Sequence, residues 1–267
     1  MLSISVIILT IVLGLCVGSF LNVVIYRLPQ HFSLAKPASH CPVCKSNIRW
    51  FDNIPLLSYI ILNGKCRHCK TRISPRYFIV ELSNTILWFL ALLFNTNFII
   101  TSITPNYLLF ALECIAFSIL ICIFCCDLEN LEIPDELQMS LLVVAILSFL
   151  CHDSNSSSKV FGFLIGGGFL GLFSLLFYLI KKREGIGFGD IKLMAILGLL
   201  LGMKAIIVCI VLSAISGAIV LSIISFKNKG EKNKEYPFAT FIAPCAIISA
   251  FVGELIANWY LSLFVAL

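Results

Sequence analysis

Long apolar stretches recur along almost the whole chain and are separated by short polar segments. Most of them approach or exceed the roughly 20 residues that a helix needs to cross a bilayer. The pattern predicts eight helices, at residues 4–26, 78–98, 107–126, 137–151, 160–180, 189–202, 204–226 and 240–265. The fourth and sixth are short for a full crossing and are expected to tilt little or to end inside protein. We therefore predict an all-α polytopic membrane protein with about eight transmembrane helices.

The composition agrees with a membrane location. Hydrophobic residues make up 60% of the chain, charged residues make up 12%, and the mean hydropathy is +1.02. These values do not fit a water-soluble enzyme. Residues 1–26 lack a basic start and have a long apolar core, so they are expected to remain as the first helix and not to be a cleaved signal peptide.

The positive charges lie on one side of the predicted helices. Of the 19 Lys and Arg residues, 17 fall in residues 27–76, in the KKR at 181–183, at Lys192 and in the KNKGEKNK stretch at 227–234. Because cytoplasmic loops carry the excess of Lys and Arg, these segments are assigned to the inner side and both termini to the outer side. The net charge of +5 then needs no nucleic acid as partner, since basic residues near a membrane are attracted to anionic lipid head groups.

Residues 27–76 contain two CxxC pairs, CPVC at 41–44 and CRHC at 66–69, with 21 residues between them. This spacing is typical of a zinc site with four thiolate ligands, here Cys41, Cys44, Cys66 and Cys69. Two disulfides are the alternative, which a reducing cytoplasm disfavours. Because a loop of this length buries only a small hydrophobic core, a structural metal is expected to supply its folding energy. The chain then divides into a first helix at 1–26, a small cytoplasmic zinc-knuckle domain at 27–76 and a multi-helix membrane domain at 77–267.

The segment WFDNIPLLSYIILNGKC at 50–66 mixes Trp50, Phe51 and Asn53 with apolar residues. Such a segment either lies along the membrane surface as an interfacial element or covers the zinc site. The sequence does not decide between the two.

Two aspartates lie where a predicted helix meets water. Asp127 closes the apolar run IAFSILICIFCCD, and Asp190 lies in the glycine-rich turn GIGFGD before the next apolar run. A carboxylate at the edge of the hydrocarbon is costly unless it is paired, solvated or functional, so both are functional candidates. Two facing carboxylates can share one proton and cleave a peptide bond.

Three glycines precede the second aspartate, at positions 185, 187 and 189. They are expected to let the backbone bend sharply before the helix resumes at Ile191.

Lys192 is expected to anchor at the lipid head groups or to bias the ionisation of the aspartates. Asp135 follows Pro134 ahead of an apolar helix, where a carboxylate caps free amides. Glu81 and Glu113 fall within or near apolar helices, where each is either a functional acid or a paired structural residue.

Six blocks of the sequence together resemble the bacterial type IV prepilin peptidases, in the order of that family and over roughly residues 14–245. They are GSFLNVVIYRLP at 18–29, the CxxC pairs flanking DNIPLLSY at 52–59, ISPRYFIVEL at 73–82, CDLENLEIPDEL at 126–137, GFGDIKLMAILGLLLG at 187–202 and YPFATF at 236–241. In the last block a glycine and a proline commonly follow the phenylalanine, whereas this chain has Ala239 and Thr240.

The resemblance implies a GxGD-type intramembrane aspartic protease, with Asp127 and Asp190 as the catalytic pair and the four loop cysteines as zinc ligands. It implies removal of the basic leader of type IV prepilins and pseudopilins, at the cytoplasmic face of the inner membrane. It also implies N-methylation of the new N-terminal residue with S-adenosylmethionine as methyl donor. The donor site is expected near the zinc loop, Gly18, Asn22 and Arg27, because the freed amine emerges on that side.

Two other classes of protein fit parts of this pattern. In a multihelix ion transporter, Asp127 and Asp190 would bind cations or relay protons, although both lie at helix ends and not at the centre of the membrane. A non-enzymatic pilus or secretion assembly factor would present the zinc loop to partners. Replacing Asp190 by Asn separates the three, because only a peptidase then loses cleavage of a pilin precursor.

Overall fold

The computed structural model describes residues 4–101, 107–151, 156–182, 187–227 and 237–265. Its helices are α1 (Ile4–Arg27), α2 (Leu57–Ile61), α3 (Arg76–Thr101), α4 (Tyr107–Asn130), α5 (Asp135–Leu150), α6 (Ser156–Lys181), α7 (Phe188–Leu201), α8 (Met203–Lys227) and α9 (Ala239–Val265). A short 3₁₀ helix (Trp50–Asn53) precedes α2. Gly185 and most of the basic stretch at 227–234 lie outside the described residues.

All eight predicted helices are confirmed, with ends that differ from the prediction by at most four residues. By length and composition, α1, α3, α4, α6, α8 and α9 are able to cross a membrane. The remaining two, α5 and α7, have 16 and 14 residues and are the two that the hydrophobic pattern predicted to be short. The protein is therefore an all-α, multi-pass membrane protein.

The chain divides into two compact units, residues 1–122 and 123–267, and the boundary falls inside α4. The predicted division into 1–26, 27–76 and 77–267 stays a prediction.

In the first unit, α1 packs closely against α3. A methyl group at Gly18 would lie only 2.8 Å from the Cα atom of Glu81, so the small residue permits the approach. The buried Asn84 side chain donates to the carbonyl of Gly14 (2.8 Å) and accepts from the hydroxyl of Ser118 (2.8 Å). These bonds join three helices through polar groups, which are satisfied internally as a lipid environment requires.

In the second unit, glycines bring α6 and α7 into backbone contact. A methyl group at Gly162 would collide with the carbonyl of Gly198, and one at Gly166 would collide with the carbonyl of Met194. Small residues at helix contacts are a common means of packing in membranes, where the hydrophobic effect does not drive helices together. Because α7 also packs against α5, α8 and α9, four neighbours hold the helix that carries Asp190.

Candidate active site and metal centre

Asp127 lies in the last turn of α4, and its side chain is buried. Its Oδ2 atom accepts two hydrogen bonds from Thr240, one from the backbone N–H (2.7 Å) and one from the hydroxyl (2.9 Å). Thr240 is the second residue of α9, where backbone N–H groups have no partner within the helix and a negative charge is favourable. Both bonds end on the Oδ2 atom, so Thr240 orients the carboxylate. Neither bond uses Oδ1.

Asp190 lies in the first turn of α7, just after the N-cap residue Gly187. The start of α7 packs against the connection between α4 and α5. The Nε2 atom of Gln138 donates to the carbonyl of Gly189 (3.3 Å), and a methyl group at Gly189 would lie 3.5 Å from the side chain of Ile133. The position of Asp190 is therefore set by contacts with the segment that follows Asp127.

The two carboxyl groups act on each other electrostatically. Asp190 is half-buried and lies outside the six candidate membrane spans. Burial, together with the negative charge of Asp127, raises the pKa of Asp190 to about 7. Asp190 thus keeps its proton at pH values where an ordinary aspartate is ionised, and two groups coupled in this way titrate as a pair. The arrangement can offer one proton donor and one base to the same substrate.

The glycines before Asp190 do not act as predicted. Gly187 has a φ angle of −60°, and Gly189 lies inside α7, which begins at Phe188 and does not wait until Ile191. The predicted start of the helix at Ile191 is therefore wrong, and Gly189 makes no bend because it is helical. Gly189 instead leaves room for the Gln138 amide, whose Nε2 atom would lie 3.3 Å from an added methyl group.

Lys192 connects the start of α7 to the start of α5. Its Nζ atom lies 2.9 Å from Oδ1 of Asp135 and 5.1 Å from the ring centroid of Phe188. Asp135 is the first residue of α5 and follows the N-cap residue Pro134. Its carboxylate was expected to cap the helix, but the structure shows it in a cross-helix ion pair. Both side chains are well exposed to solvent, so this pair contributes little to stability.

The two CxxC pairs fold into knuckles of the same form. In each, the N–H of the first cysteine donates to a carbonyl five residues later, from Cys41 to Ser46 (3.0 Å) and from Cys66 to Thr71 (2.8 Å). The lysine after the second cysteine has a positive φ in both knuckles, 55° and 58°. A single isolated antiparallel bridge closes each one.

The four cysteines converge on one point. The Sγ atoms of Cys41, Cys44, Cys66 and Cys69 all lie within 4.8 Å of one another. The Cys41–Cys69 separation is 3.8 Å and the Cys44–Cys66 separation is 4.0 Å. A tetrahedral zinc ion with Zn–S bonds of about 2.3 Å requires S–S separations of about 3.8 Å, so the cluster fits this metal. All twelve cysteines are free in this structure, and the convergence of four sulfurs on one point favours a metal site over two disulfides.

A hydroxyl group in each knuckle also favours the thiolate form of the second cysteine. The Thr71 hydroxyl lies 3.1 Å from the Cys69 sulfur and, with the Thr71 backbone, lowers the pKa of Cys69 to about 6. The Ser46 hydroxyl occupies the matching place in the first knuckle, 2.9 Å from Cys44, and lowers the pKa of Cys44. A metal ligand must be deprotonated, so both contacts prepare the site for a cation.

Buried polar residues join α1 to α3 and fasten the zinc loop to both helices. The Asn22 amide donates to the carbonyl of Tyr77 (3.2 Å), and the Oε2 atom of Glu81 accepts from the N–H of Leu56 (2.7 Å). Arg27 is also buried and donates to three carbonyls of the following loop, those of Ser33, Leu34 and Pro37. These contacts give Asn22 and Arg27 structural roles, and the predicted place of the methyl-donor site stays a prediction.

Known proteins match both parts of the chain. Residues 12–95 match the bacterial peptidase A24 N-terminal domain, and residues 114–222 match the type IV leader peptidase family. Similar relatives named prepilin leader peptidase/N-methyltransferase come from Aeromonas salmonicida strain A449 (32% identical; 95% of this chain and 93% of the relative covered), Pseudomonas aeruginosa PAO1 (33%; 94% and 92%) and Legionella pneumophila (34%; 93% and 92%). The chain belongs to the type IV leader peptidase family. No solved structure matches it significantly.

Sequence reasoning missed one residue of the site in this leader peptidase. Asp127 and Asp190 were found from their places at helix ends, but their contact with α9 was not foreseen. The available signal was the departure in YPFATF, where Ala239 and Thr240 stand in place of glycine and proline. A proline at position 240 has no N–H to donate, whereas Thr240 donates twice to Asp127.

Proposed function

We propose that Asp127 and Asp190 are the catalytic pair of this leader peptidase. The observation that supports the proposal is a buried Asp127 carboxylate that Thr240 holds on one oxygen and whose charge acts on Asp190. Hydrogen bonds to a carboxylate favour its ionised form, whereas burial near a like charge favours the protonated form. In this proposal Asp127 is the base and Asp190 is the acid.

The reaction is hydrolysis of a peptide bond. Asp127 takes a proton from a water molecule as the water oxygen attacks the scissile carbonyl carbon, and Asp190 donates its proton to the carbonyl oxygen. The tetrahedral intermediate then collapses as the C–N bond breaks. The proton held by Asp127 passes to the leaving amine, and the hydroxyl proton returns to Asp190. Both carboxyl groups end the cycle in their starting states.

The chain is an enzyme that processes prepilins, and it is a multi-pass protein of the inner membrane. Its proposed substrates are type IV prepilins and pseudopilins, whose own apolar helix presents the cleavage site at the membrane surface. A basic leader before such a helix is retained on the cytoplasmic side. The acid pair and the basic zinc loop are accordingly proposed to face the cytoplasm.

The proposed second activity is N-methylation of the residue that cleavage exposes, in line with the names of the relatives. S-adenosylmethionine, the donor implied by the resemblance, supplies an electrophilic methyl group when bound. Cys41, Cys44, Cys66 and Cys69 are proposed to hold a structural zinc ion. Four thiolates fill its coordination sphere and leave no position for water, so the metal is assigned no chemical step.

The test is mass spectrometry of a prepilin after incubation with the purified full-length protein, with and without S-adenosylmethionine. Asp127→Asn and Asp190→Asn are each expected to abolish removal of the leader. Glu129→Gln is the matched control, because Glu129 is an exposed acid near the end of the same helix as Asp127. This variant is expected to cleave within a few-fold of the wild type.

A pilin supplied without its leader separates the two activities. Both Asn variants are expected to methylate this substrate, which shows that they are folded. Full cleavage by Asp190→Asn would end the proposal and favour a scaffold. Flux of an ion through the purified protein without any proteolysis would favour a transporter.

A further inference from the structure

The short helix α2 presents an apolar face to its surroundings. Leu57, Ile60 and Ile61 are 52%, 60% and 65% exposed. Their spacing places them on one side of the helix. Trp50 is 80% exposed and belongs to the 3₁₀ helix, which packs against α2. Large side chains of this kind are usually buried in a water-facing domain, so a cluster of them indicates a partner.

The polar contacts of the same segment are made with the second zinc knuckle. Arg67, between Cys66 and Cys69, forms a two-pronged ion pair with Asp52, with 2.6 Å between Nη2 and Oδ1 and 2.9 Å between Nε and Oδ2. Its guanidinium also lies over the Phe51 ring, 5.5 Å from the centroid. The segment thus contacts the second knuckle through Phe51 and Asp52, while Trp50 and the apolar side chains of α2 stay exposed.

Contacts with α3 fix α2 at the start of a membrane span. The N–H of Leu56, the residue before α2, lies 2.7 Å from Oε2 of Glu81. On α2 itself, the Tyr59 ring lies 5.5 Å from the Phe78 ring. Leu56 has a φ of 57°, a conformation that is costly outside glycine. The bond to Glu81 helps to hold this conformation, so the place of α2 is specified by the structure.

The place of Glu81 on α3 locates α2 relative to the membrane. Helix α3 begins at Arg76, and its candidate membrane span begins at the same residue. Glu81 lies five residues after Arg76, roughly 7.5 Å along the axis. The start of α2 is therefore held beside the first turns of a candidate span, close to the end of the helix that carries Arg76.

We propose that residues 50–61 form an interfacial foot that inserts Trp50, Leu57, Ile60 and Ile61 into the bilayer surface beside α3. Helices that lie in the interface bury their apolar face by roughly 5–10 Å, a depth similar to the roughly 7.5 Å that separates Arg76 from Glu81 along α3. Tryptophan is enriched at this boundary. The exposed Arg49, Lys65 and Arg72 flank the segment, and their charge matches that of anionic head groups. The foot thus continues the lipid-facing surface of α3.

The test uses tryptophan quenching in vesicles of phosphatidylcholine and phosphatidylglycerol with bromine atoms on the acyl chains. The full chain is reconstituted as wild type and as Trp50→Phe, and the difference between the two signals isolates Trp50. Ile60→Trp, made in the Trp50→Phe background, reports on α2. Both positions are expected to be quenched several-fold more strongly by bromines near the carbonyl end of the chain than by bromines near the methyl end.

The matched control is Val43→Trp in the same background. Val43 is 63% exposed, similar to Ile60, but lies between two cysteines of the first knuckle. It is expected to show little quenching, with zinc content confirming that the knuckles have folded. The proposal is overturned if Trp50 and the Trp at position 60 are unquenched, or if the Trp at position 43 is quenched equally. If Trp50 and the Trp at position 60 become shielded only when prepilin is added, this face binds the substrate. That result would also overturn the proposal.

Discussion

Thr240 shows why single residues of this site escape sequence reasoning. The two aspartates stand out because each interrupts an apolar run, which is visible within a short window. Thr240 is an unremarkable residue at the start of a helix, and it meets Asp127 across 113 positions of the chain. The contact depends on how α4 and α9 pack, and one sequence does not give that packing. The ion pair of Lys192 with Asp135, 57 positions apart, was missed for the same reason.

Removing the Thr240 hydroxyl is expected to slow cleavage. Thr240→Val deletes one of the two bonds to Asp127, and a hydrogen bond to a charged group is worth about 1.5–3 kcal/mol. The kcat for leader removal should fall by about tenfold or more, whereas Thr240→Ser, which keeps the hydroxyl, should restore it. KM should change little because Thr240 contacts Asp127 and is not proposed to touch substrate. Equal kcat values for the Val and Ser variants would contradict this role.

The helices themselves were predictable because length and apolarity decide them. Even α5 and α7 were recognised as short, and the ends of the long helices differed by only a few residues. In contrast, α2 was missed, because five residues, Leu57–Ile61, are too few to show a helical period. The likeness of the two knuckles was readable in CPVCKS and CRHCKT, yet only the structure shows that Ser46 and Thr71 make the same contact with a ligand sulfur.

The close packing of α6 against α7 gives a prediction with an internal control. Gly162→Ala places a methyl group against the carbonyl of Gly198, whereas Gly168→Ala, on the same helix, meets nothing within 4 Å. The first change is expected to destabilise the protein by about 1–3 kcal/mol through overpacking. The second is expected to be neutral or to stabilise by up to about 1 kcal/mol, since glycine is unfavourable inside a helix. Thermal unfolding in detergent compares the two, and equal midpoints would contradict the packing described.

Loss of one knuckle ligand is expected to unfold the zinc loop. Cys44→Ser should abolish zinc binding, because three thiolates leave the coordination incomplete and the metal supplies folding energy to this short segment. Cys16→Ser is the control, since Cys16 is an exposed cysteine of α1 outside the cluster. Metal analysis should find zinc in the wild type and in the control only. Hydrogen exchange across residues 40–72 should accelerate in Cys44→Ser, and unchanged exchange would show that the loop folds without metal.

For the chain as a whole, the distribution of basic residues predicts an orientation. Six helices are candidate membrane spans, and α5 and α7 are shorter. The excess of Lys and Arg in residues 27–76 indicates which side of the membrane is the cytoplasm. The division of the chain at residue 122, inside α4, was not foreseen. An uninterrupted helix gives no local sign that its two halves belong to different units.

Reporter fusions test the orientation. Alkaline phosphatase joined after Leu267 is expected to be active, because the predicted location of the C terminus is outside the cytoplasm. The same enzyme inserted at Gly230, in the basic stretch, should be inactive because that stretch is predicted to be cytoplasmic. The reverse pattern would place the C terminus inside and would invert the side proposed for the acid pair.

Helix α7 has only 14 residues, which bears on how water, the second reactant of the proposed hydrolysis, reaches the site. At 1.5 Å per residue the helix is roughly 21 Å long, well short of a hydrocarbon core of roughly 30 Å. The bilayer adapts to a short helix by thinning locally. Asp190 lies in the first turn of α7, so we expect such thinning to bring bulk solvent close to the acid pair. In the proposed mechanism, the shortness of this one helix is what admits water to a reaction at the edge of the lipid.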